Sequence, residues 1–199
     1  MPALSASAPG KAILLGEHAV VYGIPAIAVP VNQVEARATI LPAPNQSKGW
    51  LEIEAPAIQL KSTLSDLADT HPLRILVESI RAELGLRSFP SLTLRIKSTI
   101  PPSAGLGSGA AVSVAVIRAL SRFVGRPFSN EKVNQLAYQI EKLYHGTPSG
   151  IDNTVITFAK PVCFIREQPI EFLEIPRGFD LIIADTGIRA STAEAVARV

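Results

Sequence analysis

A glycine-rich stretch at residues 101–111 is the first part of the sequence whose residue types suggest chemistry. It contains Gly105, Gly107 and Gly109 within five residues, so the backbone there can come close to a ligand and adopt positive φ angles. A strand pattern precedes it, and an apolar segment over 110–124 predicts a buried helix after it. Because the first turn of a helix offers unpaired N–H groups and the positive end of a dipole, this order predicts an anion site, most often for phosphate.

The alternative for this stretch is a glycine-rich turn that binds nothing. Two observations favour a ligand site: the loop carries no charge, and Ser108, Gly109, Ala110 and Ala111 leave the helix tip open. The loop is not a Walker loop, since no Lys-Ser/Thr pair follows the glycines. Its glycine spacing also differs from that of the dinucleotide-binding fingerprint.

Two carboxylates and one amine are the candidates for catalysis. Phosphoryl transfer needs a divalent metal and a group that orients or deprotonates the nucleophile. Glu141 and Asp152 lie on either side of a Gly/Pro-rich turn that can bring them together, and carboxylates are common Mg²⁺ ligands. Lys11 could donate to a phosphate or to a substrate oxygen. The structural alternatives are a solvated helix face for Glu141, a turn residue for Asp152 and an edge-strand lysine for Lys11.

The histidines favour neither a zinc site nor a hydrolase. His18 stands in an apolar run beside Glu17, where a hydrogen-bonded core histidine is the alternative to a ligand. His71 and His145 are expected at the surface or at helix caps, and the three together lack zinc-ligand spacing. Ser108 does not lie in a Gly-x-Ser-x-Gly nucleophile elbow.

Composition indicates a globular and rather apolar protein. The 199 residues are 47% hydrophobic and 18% charged, and the net charge of +2 is too small to imply a nucleic-acid partner. The single cysteine, Cys163, fits a reducing compartment and, from its apolar strand pattern, the core. No apolar run is long enough for a membrane helix, and no signal-peptide pattern opens the chain. We therefore expect a cytoplasmic protein with neither a membrane nor a nucleic-acid partner.

Periodicity places these candidates on alternating strands and helices. The pattern predicts helices at 72–84 and 110–124, a third beginning at Ser129 or Asn130, and a fourth starting with a capping box at Ser191. Residues 56–70 read as irregular. The predicted strands are 24–31, 34–40, 50–55, 92–97, 153–158, 162–165, 172–175 and 181–184.

Four patches taken together resemble a known enzyme family. They are residues 9–23, the stretch Pro101–Ser108, Glu141 with 145–152, and Asp185-Thr186-Gly187 with Thr192. On these patches the sequence resembles the GHMP kinases, which include galactokinase, homoserine kinase, mevalonate kinase and phosphomevalonate kinase. Within that family it is most similar to the mevalonate kinases.

The resemblance implies a reaction and a role for each matching residue. The reaction is ATP-dependent phosphorylation of the 5-hydroxyl of mevalonate to 5-phosphomevalonate, in isoprenoid precursor synthesis, with Mg²⁺ as cofactor. Asp152 would be the catalytic base or would position the hydroxyl, and Lys11 would steer charge toward the transferred phosphoryl group. Glu141 would bind Mg²⁺. Mevalonate would face Glu17, His18 and Thr192. ATP would be wrapped by Pro101, Pro102, Ser103, Ala104, Gly105, Leu106, Gly107, Ser108, Gly109, Ala110 and Ala111.

The sequence departs from the family pattern in two places. The family usually has a second serine where this chain has Gly109, so either Ser108 or water would complete the metal shell. The family also carries a further C-terminal, ferredoxin-like domain. The resemblance therefore predicts an α+β fold like ribosomal protein S5 domain 2 over residues 1–184, a mixed sheet with helices on one side, and the start of a connection to a missing domain over 185–199.

Three alternatives to the mevalonate reaction stay open. One is another GHMP kinase, acting on phosphomevalonate or homoserine, although Glu17 and His18 supply little positive charge for a phosphorylated acceptor. Another is a non-catalytic S5-like module that binds nucleic acid. The third is a fragment that binds its ligands weakly, turns nothing over and exposes apolar surface. The oligomeric state is open too, with a homodimer as the candidate.

Overall fold

The computed structural model describes residues 3–102, 104–145 and 148–184. The described elements are β1 (Leu4–Leu15), β2 (Ala26–Pro42), β3 (Leu51–Ala55), β4 (Leu60–Thr63), α1 (Pro72–Glu83), β5 (Leu92–Ser98), α2 (Ser108–Phe123), α3 (Asn130–His145), α4 (Ile151–Phe158), β6 (Val162–Phe164) and β7 (Glu171–Phe172). Short 3-10 helices lie at Ala19–Tyr22 and Pro56–Ile58.

The strands form one mixed sheet with the order β4-β3-β5-β2-β6-β7, and β1 pairs along β2. The β3–β5 pair is parallel and the other pairs are antiparallel. Ala36, Ala38 and Ile40 on β2 are fully buried, whereas Arg37 between them is exposed. This alternation gives the sheet one apolar face, against which the helices pack. The predicted α+β class with a mixed sheet and helices is confirmed.

Helix α2 lies at the centre of the core, in contact with β1, β2, α3 and α4. Most of its residues are buried, including Ala111, Val114, Ile117 and Leu120. The small residues at its start allow close packing against β1, so the glycine-rich stretch that precedes α2 is held against the sheet. Within the described residues, no helix is long and apolar enough to cross a membrane.

The predicted strand at 153–158 is wrong, because α4 occupies Ile151–Phe158. The β-branched run Thr154-Val155-Ile156-Thr157 suggested a strand, but helix propensity is a weak prior that packing overrides. Gly150, at φ 92°, adopts the left-handed conformation just before the helix and turns the chain into it. All four β-branched residues are buried, as a short helix packed on other helices requires.

Other predicted boundaries also change. The strands predicted at 24–31 and 34–40 are one continuous strand, β2, whose pairing with β1 shifts register between Pro9 and Gly10. The segment 56–70 contains the second 3-10 helix and β4. The strand at 172–175 is reduced to β7, and 181–184 forms none. The helix predicted at Ser191 lies outside the described residues, as does all of 185–199, so the domain boundary after residue 184 stays a prediction.

Arg118 on α2 ties together the elements that carry the candidate residues. Its guanidinium donates to the backbone oxygens of Ser7 on β1 and Thr157 on α4, at 3.2 and 2.5 Å, and to Asn130 Oδ1 on α3 at 3.1 Å. Burial, and secondarily the nearby Arg122, lower the pKa of Arg118 from its usual value. A half-buried cation with three acceptors on three elements fixes their relative positions.

Replacing Arg118 with Met should therefore destabilise the protein. Hydrogen bonds to a charged group contribute about 1.5–3 kcal/mol, so we expect the free energy of unfolding to fall by about 2–3 kcal/mol. Urea denaturation measures the change. Arg122→Met on the exposed side of the same helix is the matched control and should have little effect. Equal stability of the two variants would show that Arg118 does not hold these elements in position.

Candidate active site

The glycine-rich loop lies directly on strand β1. Lys11 N donates to Leu106 O at 3.1 Å, so the loop is anchored to the middle of the strand. Gly105 and Gly107 both have φ of 72°, and Gly107 is the N-cap of α2. Because a glycine cap has no side chain to accept from the helix, the first N–H groups of α2 are left for another acceptor. This geometry is the one that the sequence predicted for an anion site.

Lys11 is buried beneath this loop, with 4% of its surface exposed. A Cβ added to Gly107 would lie 3.0 Å from Lys11 Cγ and 2.7 Å from Ile156 Cδ1. The aliphatic part of Lys11 is thus packed beside Gly107, and its amine lies at the N-terminal end of α4. There Lys11 Nζ lies 2.9 Å from Asp152 Oδ1. A buried ammonium requires such a partner, so Lys11 is not the exposed edge-strand lysine of the alternative interpretation.

Asp152 lies in the first turn of α4, two residues after its cap at Gly150. The positive end of the helix dipole favours a negative charge at this position. The Asp152 side chain is 35% exposed, so its carboxylate contacts the buried amine and also faces solvent. A carboxylate placed in this way can accept a proton from a bound hydroxyl.

Glu141, on α3, is the third charged residue of the site, beside Lys11 and Asp152. Burial and, secondarily, the negative charge of Asp152 raise the pKa of Glu141, and Lys11 lowers it; together they place it at about 7. A Cβ added to Gly109 at the tip of α2 would lie 3.8 Å from Glu141 Oε1, so this carboxylate faces the helix tip. Glu141 is half-buried, which excludes the solvated helix face.

These residues fit a magnesium ion that arrives with phosphate. Glu141 and Asp152 offer carboxylate oxygens, and Ser108, the first residue of α2, offers a hydroxyl. Across the described residues, no group of three or more His, Cys, Asp or Glu side chains could hold a metal alone. Mg²⁺ commonly binds through one or two carboxylates and takes its other ligands from phosphate and water.

Comparison with known proteins places the chain in a family. Residues 72–160 match the model of the GHMP kinases N terminal domain. Mevalonate kinase of Thermococcus gammatolerans is 35% identical over an alignment of 211 positions, which covers 98% of this chain and 60% of that protein. The chain carries a GHMP kinase N-terminal domain.

Solved structures agree with this assignment. Methanococcus jannaschii mevalonate kinase superposes on the GHMP kinase domain with a TM-score of 0.76, at 22% identity, over 87% of this chain and 56% of the other. L. major mevalonate kinase in complex with R-mevalonate gives 0.71 at 29% identity, over 97% and 59%. The chain spans about 60% of the length of the curated relatives that it matches.

Not every residue expected in the site is joined to its centre. Glu17 is exposed and His18 is half-buried beyond the end of β1, and within the described ranges neither bonds to Lys11, Glu141 or Asp152. His18 has φ 64°, a conformation that is uncommon for a residue other than glycine. Pro101 and Pro102 lie in the described part of the loop, whereas Ser103 and Thr192 lie outside the described residues.

Sequence reasoning about the GHMP kinase domain missed a polar network behind Asp152. Asn134 on α3 bonds to Asn153 and Thr154 on α4. A strand over 153–158 does not predict these contacts. A signal was present, because Gly150 followed by Asp152 is typical of a helix start with an acidic residue in its first turn.

Gly107→Ala should destabilise the domain more than Gly105→Ala does. Both glycines have φ of 72°, so both alanines are strained, but only at Gly107 would the new methyl group clash, with Ile156 and Lys11. At Gly105 it would meet nothing within 4 Å. We expect an additional loss of about 1–3 kcal/mol at Gly107, as for overpacking, measured by chemical denaturation. Equal losses would show that the loop does not press on Lys11.

The raised pKa of Glu141 should make the metal-free protein less stable as the pH rises. Between about pH 4.5 and 7 the folded state holds a proton that the unfolded state has released, so the free energy of unfolding falls across this window. Glu141→Gln removes this pH dependence. The free energy of unfolding of the variant, relative to that of wild type, should therefore be on the order of 2 kcal/mol higher at pH 8 than at pH 5. Denaturation curves at the two pH values measure the gain.

The matched control for Glu141→Gln is Glu131→Gln, at an exposed position in the first turn of α3. The pKa of Glu131 is lowered, so its titration is complete below this window. Its stability difference from wild type should stay constant from pH 5 to pH 8. A constant difference for Glu141→Gln as well would contradict the raised pKa.

Proposed function

We propose that the complete protein transfers the γ-phosphoryl group of ATP to the 5-hydroxyl of mevalonate, in the cytoplasm. The observation that carries this proposal is the 2.9 Å contact between Lys11 and Asp152 beside the tip of α2. It joins a proton acceptor, a cation and a phosphate-binding helix end within one small region. The similarity to mevalonate kinases along 98% of the chain supports mevalonate as the acceptor.

The chain's own residues divide the work as follows. The N–H groups at the start of α2 bind the phosphates of ATP and fix their direction. Asp152 takes the proton from the 5-hydroxyl of mevalonate. The oxygen of that hydroxyl bonds to the γ-phosphorus, and the bond from that phosphorus to ADP breaks. Lys11 holds Asp152 in place, and its charge stabilises the negative oxygens of the transferred group.

Glu141 and Ser108 would hold Mg²⁺, which neutralises phosphate charge when bound. A cation beside Glu141 would lower its pKa from about 7 and keep it ionised at neutral pH. Gly109 leaves space in front of this carboxylate, so a water molecule is an alternative ligand to Ser108. Glu17, His18 and Thr192 are proposed to contact mevalonate. The L. major relative was solved with R-mevalonate bound, which supports this acceptor.

The decisive experiment offers the complete protein ATP and Mg²⁺ with mevalonate, phosphomevalonate or homoserine. We expect phosphorylation of mevalonate and a loss of about 10²–10⁴-fold in kcat for Asp152→Asn, because the variant keeps the shape but loses the proton acceptor. Formation of the phosphorylated product and of ADP measures the rate. Asp66→Asn, at an exposed position away from the loop, should retain the wild-type rate.

Each other outcome of this experiment has a clear meaning. A preference for phosphomevalonate or homoserine would keep the phosphotransfer chemistry and replace the acceptor. A near wild-type rate for Asp152→Asn would remove the assigned role of this carboxylate. Absence of turnover with all three acceptors, together with salt-sensitive binding to RNA, would favour the non-catalytic module.

A further inference from the structure

Two amide side chains, the buried Asn153 and the half-buried Asn134, join α3 to α4 directly behind Asp152. Asn153 Nδ2 donates to Asn134 Oδ1 at 2.6 Å and to the Asn134 backbone oxygen at 3.4 Å. Asn153 is 2% exposed. This contact joins the two helices that carry Glu141 and Asp152, and it lies one residue from the proposed catalytic carboxylate.

The same network reaches the cap of α4. Asn134 Nδ2 donates to Thr154 Oγ1 at 3.4 Å, and Thr154 Oγ1 donates to Gly150 O at 2.6 Å. Thr154 is 2% exposed. Asn134 therefore contacts the side chains of two successive α4 residues, Asn153 and Thr154. Thr154 in turn links it to Gly150, the residue from which the helix starts. Such a set of bonds fixes both the rotation of α4 about its axis and its position along that axis.

Stability alone does not account for these polar side chains. Asn153 Oδ1 is buried and has no hydrogen-bond partner among the described residues. A buried polar atom without a partner is unfavourable, and replacing both members of a buried polar pair with apolar groups of similar shape is often neutral or stabilising. Two leucines would keep apolar contact between α3 and α4 but would remove the directional bonds that set the rotation of α4.

Rotation of α4 would displace the carboxylate of Asp152. With side chains, a helix has a radius of about 5 Å, so a rotation of about 20° moves a side-chain end by about 2 Å. That displacement is large compared with the 2.9 Å contact between Asp152 and Lys11. A misplacement of about 1 Å in a reacting group can cost about 10²-fold in rate.

We propose that Asn134 and Asn153 are positioning residues, which set the orientation of α4 so that Asp152 stays aligned with Lys11 and with the acceptor hydroxyl. The proposal rests on the proposed function, since it concerns the same carboxylate. It assigns a role in the reaction to Asn134, which lies on a different helix from Asp152 and is separated from it along the chain by most of α3.

The test compares Asn134→Leu, Asn153→Leu and the double variant in the complete protein. Each single variant leaves one amide without its partner, so both Tm and kcat should fall. In the double variant Tm should recover to within a few degrees of wild type, while kcat should stay about 10–100-fold low and KM for ATP should change less than about threefold. Thermal melting and steady-state kinetics give the two readouts.

A merely structural pair gives a different result, because kcat would then recover together with Tm. Gln139→Leu makes the same change of amide to apolar side chain at an exposed position of α3, and it should leave kcat unchanged. If the double variant does not fold, Asn134→Ser provides the second test. Serine is too short to reach Asn153, so kcat should again fall at constant KM, and an unchanged kcat would overturn the proposal.

The two proposals fail in distinguishable ways. If wild type phosphorylates mevalonate and the folded double variant retains the wild-type kcat, the positioning role is wrong and the proposed function stands. If wild type phosphorylates none of the acceptors under any condition that supports folding, the proposed function is wrong and the positioning role is wrong with it.

Discussion

The contact between Lys11 and Asp152 is the interaction on which the arrangement of the site depends. Lys11 is 4% exposed, and an ammonium group in such surroundings needs an anion close by to remain charged. Its partner is delivered by a separate element, since Lys11 belongs to β1 and Asp152 to α4. The ion pair therefore couples the sheet to the helical layer, and any change that moves α4 away from β1 leaves a buried charge without compensation.

The charges around this pair also indicate which kind of ligand suits the site. Glu141 and Asp152 bring two carboxylates to the region of Lys11, and the pKa of Glu141 near 7 shows that burial and repulsion outweigh the attraction of the amine. An added cation would reverse this balance. Because the adjacent helix tip favours anions, a complex of a divalent cation with a polyphosphate satisfies both requirements of the site, whereas neither component does so alone.

Local conformation in this region could be predicted from the sequence, whereas contacts between distant segments could not. The glycine loop, its following helix and the residues Lys11, Glu141 and Asp152 could be identified because short motifs determine their conformation or mark their chemistry. Pairing of Asn134 with Asn153 could not, since it depends on how two helices pack and leaves no periodic signal. The continuity of β2 across the two predicted strands likewise depends on its pairing with β1, which a local pattern does not reveal.

The error at residues 151–158 shows why the type of element matters for the chemistry. Asp152 contacts the amine of Lys11, while Ile156 and the Lys11 stem both lie beside Gly107. Residues four apart are separated by about 6 Å along a helix and by about 13 Å along a strand. The shorter distance matches the length of one lysine side chain, so one lysine can reach both positions only when α4 is helical. Helix formation over this β-branched run therefore lets Asp152 and Ile156 lie along the same lysine, and packing against α2 and α3 favours it where local propensity does not.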